Sequence, residues 1–281
     1  MRKAMDLVTV SEVAQPRPDQ LNDVVWREGD AWLAGGTWLF SEPQTHLRRL
    51  IDLRGMQWHP LSVTEKGLEI AATCTIAELE GFVAPPEWKA AHLFAECAHC
   101  LLASFKIYKT ATVGGNVCMS LPAGAMVSLT ASLEGTCNIQ VKDGGQSSVP
   151  VVDFVTGDHK NVLRPGDLLR SITLPASALR KRASFRRMSL THIGRSTVLV
   201  IATLCADTRE FILTVTAATH RPMQLRFDAV PAQGELRDRL LTHIPDSEYF
   251  SDVHGTPEYR KHMTHYYAEQ LRQELAAGDR S

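Results

Sequence analysis

The chain has 281 residues, with 30 Lys and Arg against 31 Asp and Glu, a formal net charge of −1, and 44% hydrophobic residues. That length can bury a sizeable core in one large domain or two small ones. The balanced charge implies neither nucleic acid nor an acidic membrane surface as a partner. No apolar run approaches the roughly 20 residues needed to span a bilayer. The start, Met1-Arg2-Lys3-Ala4-Met5-Asp6, has two positive charges but no apolar stretch behind them, so no signal peptide is expected and the chain reads as cytoplasmic.

In chain order, Leu7–Val10, Asp30–Ala34 and Arg49–Leu53 read as short strands, followed by a linker from Arg54 to Pro60. Leu68–Ala72 alternates as a strand. Thr75 with Glu78 three residues on forms a capping box that opens a helix. Pro85-Pro86 ends that stretch, and Glu87 to Lys106 has the spacing of one amphipathic helix. A loop at Gly114-Gly115 follows, then a helix over Ala125–Ala131, a strand over Asn138–Lys142, a turn at Asp143-Gly144-Gly145 and a strand starting at Val149–Val152. Ser171–Pro175 is strand-like. Ala183–Leu190, Thr197–Ala206 and Phe211–Ala218 read as three strands, the last two joined by the polar turn Asp207–Glu210. The final helix has Thr256 as N-cap and Pro257 at its first position, with Tyr259, Met263, Tyr266, Tyr267, Leu271 and Leu275 at helical spacing.

The six cysteines are expected to be reduced and mostly buried. Cys97-Ala98-His99-Cys100 is a lone CxxC. A zinc site needs a second pair or ordered histidines, and a ferredoxin-type cluster needs four spaced cysteines, so no metal is assigned to this chain. The dinucleotide G-x-G-x-x-G, the P-loop, H-E-x-x-H and G-x-S-x-G are all absent. His99, His262 and His265 read as surface or satisfied histidines, and His192 and His220 as strand-end residues without a partner.

Two glycine pairs carry the chemistry. Trp32-Leu33-Ala34-Gly35-Gly36-Thr37-Trp38 follows one apolar run, and Thr110-Ala111-Thr112-Val113-Gly114-Gly115-Asn116 another. Paired glycines permit positive φ and close approach of a ligand to the backbone. Exposed N–H groups in such turns attract anions, and Thr112 and Asn116 add side-chain hydrogen-bonding groups. Two such loops suggest one diphosphate held between two backbone cradles.

Together with Leu121-Pro122-Ala123-Gly124, this pair resembles the FAD-binding medium subunit of the molybdenum hydroxylases, the xanthine dehydrogenase and carbon monoxide dehydrogenase family. Val149–Gly157, Leu163–Leu169 and Asp252–Arg260 extend the likeness over nearly the whole chain. The resemblance implies an α+β fold. A two-subdomain PCMH-type FAD-binding domain would occupy residues 1–175, with subdomains of about 1–54 and 55–175. A smaller C-terminal domain of antiparallel sheet plus helices would occupy 176–281. It implies non-covalent FAD held by Leu33, Ala34, Gly35, Gly36, Thr37, Trp38, Ala111, Thr112, Gly114, Gly115 and Asn116. Leu169 would pack near the flavin ring and Arg186 would lie beside it, where a cation stabilises a reduced, anionic flavin. No catalytic residue is expected from this chain. The partners implied are a molybdopterin-binding large subunit and a small subunit with [2Fe–2S] clusters, with NAD as a possible acceptor. Trp38, Tyr108-Lys109, Met119 and Ala125 replace residues that are usually polar or basic in the family. Trp38, Met119 and Ala125 motivate a second reading, a flavin-poor docking subunit of the same complex; a third is a stand-alone FAD oxidoreductase on the same fold, which would need its own acid or base.

Overall fold

The computed structural model describes residues 7–142, 144–191 and 194–278. The Met1–Asp6 start, Asp143 of the expected turn, and His192 lie outside the described residues.

The first block is a small parallel sheet of β1 (Glu12–Ala14), β2 (Asp30–Leu33) and β3 (Arg49–Asp52), in the order β1-β3-β2. The strand expected at Leu7–Val10 is instead a turn closed by Val10 N–H on the Leu7 carbonyl (3.0 Å), and pairing starts at Glu12. A buried ion pair crosses the sheet. Arg49 Nε and Nη2 donate to Asp30 at 2.9 and 2.5 Å, and Arg27 N–H donates to the same carboxylate at 2.7 Å.

The second block begins with β4 (Leu61–Thr64) and β5 (Gly67–Ala71), then runs through α1 (Ile76–Glu80), α2 (Leu93–Ala98), α3 (Phe105–Tyr108), α4 (Val113–Met119) and α5 (Ala125–Ser132). It continues with β6 (Thr136–Gln140), β7 (Gln146–Pro150), α6 (Val151–Phe154), the hairpin β8 (Val155–Gly157) and β9 (Lys160–Asn161), and β10 (Leu168–Pro175). Its five-stranded sheet has the order β4-β5-β10-β6-β7, antiparallel throughout. The largest apolar cluster joins Leu68, Ile70, Leu169, Ile172 and Leu174 of this sheet to residues of α1, α2, α4 and α5. Thr75 and Glu78 form the expected capping box. The single helix expected over Glu87–Lys106 is broken. Tyr108 Oη donates to the carbonyls of Ala98 (2.6 Å) and Leu101 (3.1 Å), which satisfies the end of α2 and folds α3 back beside it. The strand expected to start at Val149 instead ends at Pro150, because Val151 N–H donates to the Gly135 carbonyl (2.8 Å) and opens α6.

The third block holds α7 (Ala176–Leu179), the antiparallel sheet β11 (Arg182–Met188), β12 (Val198–Leu204), β13 (Phe211–Thr216) and β14 (Met223–Phe227), then α8 (Gln233–His243) and α9 (Pro257–Ala277). Every residue of β12 and β13 is buried. One sheet face packs on α5 and the other on α9. All eight residues of α5 are buried too, and Ser128 Oγ meets Thr216 Oγ1 at 2.7 Å. Neither β14 nor α8 is foreseen from the sequence.

A buried arginine anchors α9. Arg260, 1% exposed, donates to the carbonyls of Thr197 (2.5 Å) and Ala217 (2.6 Å) and pairs with Asp252. Removing one partner of a buried ion pair costs about 3–5 kcal/mol. Asp252→Ala is therefore expected to lower stability by about 3 kcal/mol, at the low end because Asp252 retains some exposure, read as a fall in the urea midpoint with unchanged slope.

The carboxyls of Asp30, Asp52 and Asp167 share a pH signature. Burial opposes their ionisation, but bonds from Arg49 and Arg27 to Asp30, from Arg54 to Asp52, and from Lys142 N–H and Arg164 to Asp167 outweigh it and hold each below its ordinary value. Their stabilisation is complete above the unfolded carboxylate pKa of about 4 and is lost as pH falls below it. The thermal midpoint should therefore drop steeply from about pH 5 to about pH 3. Arg49→Met, which removes the bonds that hold Asp30 down, should lower stability at neutral pH and make the drop on acidification smaller, because Asp30 then no longer contributes to it.

Candidate functional site

β2 delivers the chain into the first glycine pair. Leu33 is buried with Leu47 and Leu50, while Ala34 packs into a neighbouring cluster with Leu53, Met56 and Leu168. Trp32 Nε1 donates to the Asp167 carbonyl at 3.1 Å. These contacts fasten the parallel sheet to the start of β10. At Gly35 a Cβ would stand 2.0 Å from the Thr110 carbonyl oxygen, so the two glycine segments touch backbone to backbone. Gly36 has φ +69°, where a side chain is strained, and a Cβ there would strike the Phe40 ring at 2.4 Å.

The turn after β2 closes with Phe40 N–H on the Gly36 carbonyl (2.9 Å) and Ser41 N–H on the Trp38 carbonyl (2.8 Å). The N–H groups of Gly36, Thr37, Trp38 and Leu39 donate to no acceptor among the described residues. Four consecutive open donors around a positive-φ glycine make an anion-binding concavity.

The second glycine pair is built differently from the expectation. Gly114 and Gly115 lie in the first turn of α4 rather than in a loop, with Thr112 as N-cap. Val113 N–H donates to the Cys74 carbonyl (2.8 Å), Gly114 N–H to Ala72 (3.1 Å), Gly115 N–H to Thr112 Oγ1 (3.0 Å) and Asn116 N–H to the Thr112 carbonyl (3.0 Å). All four donors are engaged inside the chain, so this segment is not a second N–H cradle. Gly114 is required by packing instead, since a Cβ would meet Ala72 Cβ at 2.5 Å. Gly115 leaves room on its outer side, where a Cβ would meet only Thr112 Oγ1, at 2.8 Å. Ala111 is buried, and its carbonyl accepts Ile76 N–H at 2.9 Å. Asn116 Oδ1 accepts Met126 N–H at 2.9 Å and ties α4 to α5.

Leu169 is buried in the main apolar cluster beneath α4. Arg186 is not brought to these loops. Along β11, Arg182, Ser184 and Arg186 face α9, where Arg186 bonds Glu274 (2.5 Å) and Gln270 (3.3 Å), while Ala183 and Phe185 face the main cluster. The alternation of a β-strand puts Arg186 on the sheet face opposite the cluster that contains Ala111 and Val113.

One neighbour escaped the sequence reading. His159, in the β8–β9 turn, has its ring centroid 5.6 Å from that of Trp38. Asp158 beside it is the only hint the sequence offers. Among the other candidates, His265 is half-buried with an unpartnered Nε2, so it is not the satisfied histidine expected. The Cys97 thiol is pushed up by burial and by its neighbours Cys100 and Glu96, and Cys100 is raised to about 11 by burial, so neither is poised as a thiolate. Among the described residues no three His, Cys, Asp or Glu side chains gather as a metal site, and no helix is long and apolar enough to cross a membrane.

Residues 17–177, more than half the chain, match the family described as the FAD binding domain in molybdopterin dehydrogenase. The chain belongs to this family. A stretch of 123 residues is 28% identical to xanthine dehydrogenase of Oryza sativa subsp. japonica, covering 42% of this chain and 9% of that much longer protein. The fold is similar to that of a chain in the crystal structure of quinoline 2-oxidoreductase from Pseudomonas putida 86, with a TM-score of 0.77, 20% identity and coverage of 96% and 98% of the two chains. A chain of the reconstituted CO dehydrogenase from Oligotropha carboxidovorans gives a TM-score of 0.75, 18% identity and coverage of 93% and 96%.

The matched span contains both glycine pairs, and the family's cofactor is FAD. The residues present fit it. The open donors of Gly36 to Leu39 suit its pyrophosphate, and the side of Gly115 that lacks a Cβ lets a flat or phosphate group approach α4. Gly35→Ala would set a Cβ 2.0 Å from the Thr110 carbonyl oxygen and force that backbone to shift. It should lower the thermal stability of the flavin-free protein by about 2 kcal/mol and reduce the FAD recovered per chain, both measurable on one preparation.

Proposed function

We propose that this chain is the FAD-carrying electron-transfer subunit of a heteromeric molybdenum hydroxylase. The observation that carries this reading is the turn from Gly36 to Leu39, whose unengaged N–H groups stand where Gly35 is pressed against Thr110. Bound there, FAD supplies a centre that takes electrons singly and releases them in pairs. The chain's own part is to bind and orient. The Gly36–Leu39 donors hold the diphosphate, the small residues Gly35, Ala111 and Gly115 permit backbone approach, and Leu169 closes the floor as apolar packing.

Electrons would arrive from a small partner with [2Fe–2S] clusters, after a large molybdopterin partner oxidises the substrate, and would leave to NAD or another acceptor. The fold shared with chains of quinoline 2-oxidoreductase and CO dehydrogenase supports this arrangement by analogy alone. Arg186 has no part in it, being engaged by α9.

The test is the visible spectrum of the protein purified with its native partners, with identification of the cofactor released on denaturation. About one FAD per chain is the expected result. Gly115→Leu should abolish it while keeping the partners bound, because leucine is a better helix former than glycine but fills the approach side of α4. Partners recovered with their own centres and no FAD would overturn the relay and favour a docking subunit.

A further inference from the structure

Trp38 and His159 form a corner that nothing in the fold requires. Trp38 is half-buried yet belongs to none of the four apolar clusters. Its indole N–H has no acceptor among the described residues, whereas that of Trp32 is bonded. Its ring is tilted 52° to the imidazole of His159, so the two present adjoining walls rather than a closed stack.

His159 is held there against its backbone preference. It has φ +54°, a region that glycine occupies without strain, and its N–H donates to the carbonyl of Ser120 (3.0 Å), itself at φ +52° and fully buried at the end of α4. A residue other than glycine at positive φ is uncommon, and in this exposed turn it marks a position to examine for function. Asp158 Oδ1 lies 2.8 Å from His159 Nδ1, which orients the ring and leaves Nε2 directed away from that bond. The side chain is 46% exposed, so Nε2 is open to a ligand. Trp38 follows Gly36 by two residues, so the corner stands at the end of the donor-lined turn.

We propose that Trp38 and His159 grip one flat heteroaromatic end of the FAD, Trp38 against its face and His159 Nε2 on its polar edge, with Asp158 positioning the imidazole. This rests on the FAD reading above. Two rings of FAD share that chemistry, the isoalloxazine and the adenine, and binding of the fragments separates them. Aromatic contact and one hydrogen bond are each worth enough to change affinity about five- to tenfold.

The experiment uses the full chain stripped of flavin and titrated with FAD, FMN and ADP, for the parent protein, His159→Gly and Trp38→Leu. Glycine suits the positive φ, so His159→Gly should keep or raise the ligand-free thermal midpoint. It should bind FAD about five- to tenfold more weakly. Equal loss for FMN with ADP unchanged places the isoalloxazine in the corner, and Trp38→Leu should then raise the fluorescence of bound flavin. Loss for ADP with FMN unchanged places the adenine there. Unchanged affinity of both variants for all three ligands, with tight FAD binding by the parent, would overturn the corner and leave the FAD reading standing. A parent chain that binds none of the three would overturn both.

Discussion

The absence of a side chain at Gly35 is the constraint on which the rest of the site depends. It lets the end of one sheet lie directly on the backbone leading into α4, at a separation no Cβ would permit. Around that touch point the Trp32 indole bond to Asp167 and the cluster of Ala34, Leu53, Met56 and Leu168 hold the parallel sheet against the antiparallel one. Two blocks with separate strand ladders thereby present one continuous surface, with unengaged backbone donors on one bank and a helix start on the other.

The two glycine pairs look equivalent in the sequence and differ in the structure because of what flanks them. After β2 the chain turns with no strand or helix to take up its N–H groups, so the donors stay open. Before α4, Thr112 caps the helix and β5 lies alongside, so Cys74 and Ala72 accept the first two N–H groups. A Gly-Gly-Asn run gives no sign of this, since the acceptors come from residues some forty positions upstream, just past the end of β5. Capping chemistry is visible at Thr75 and Thr256 but not at Thr112, whose partner Gly115 also lies three residues on, because the glycine pair there points to a loop instead.

The same distinction between near and distant causes runs through the fold. Strands buried on both faces, β12 and β13, stand out as apolar runs, and α9 stands out by periodicity and cap. The break after α2 did not, because it is made by the Tyr108 hydroxyl reaching back to Ala98 and Leu101. The place of Arg186 in the sequence suggests the cofactor, and strand alternation turns it toward Glu274. His159 does not stand out in the sequence, because what sets it apart is a backbone angle and a ring from another block.

Helix α5 has a consequence for the molecule as a machine part. With no residue reaching solvent, it is at once the wall of the second block and the inner layer beneath the C-terminal sheet, joined to it by Ser128 with Thr216 and by Gln224 Nε2 on the Ala131 carbonyl. Close-packed interiors transmit displacement rather than absorb it. There is no slip plane between the blocks at this helix, and a load applied through α9 to the C-terminal sheet is carried through α5 to α4 and its glycines. A displacement at α9 is thus felt at the cofactor cradle with no hinge between the two.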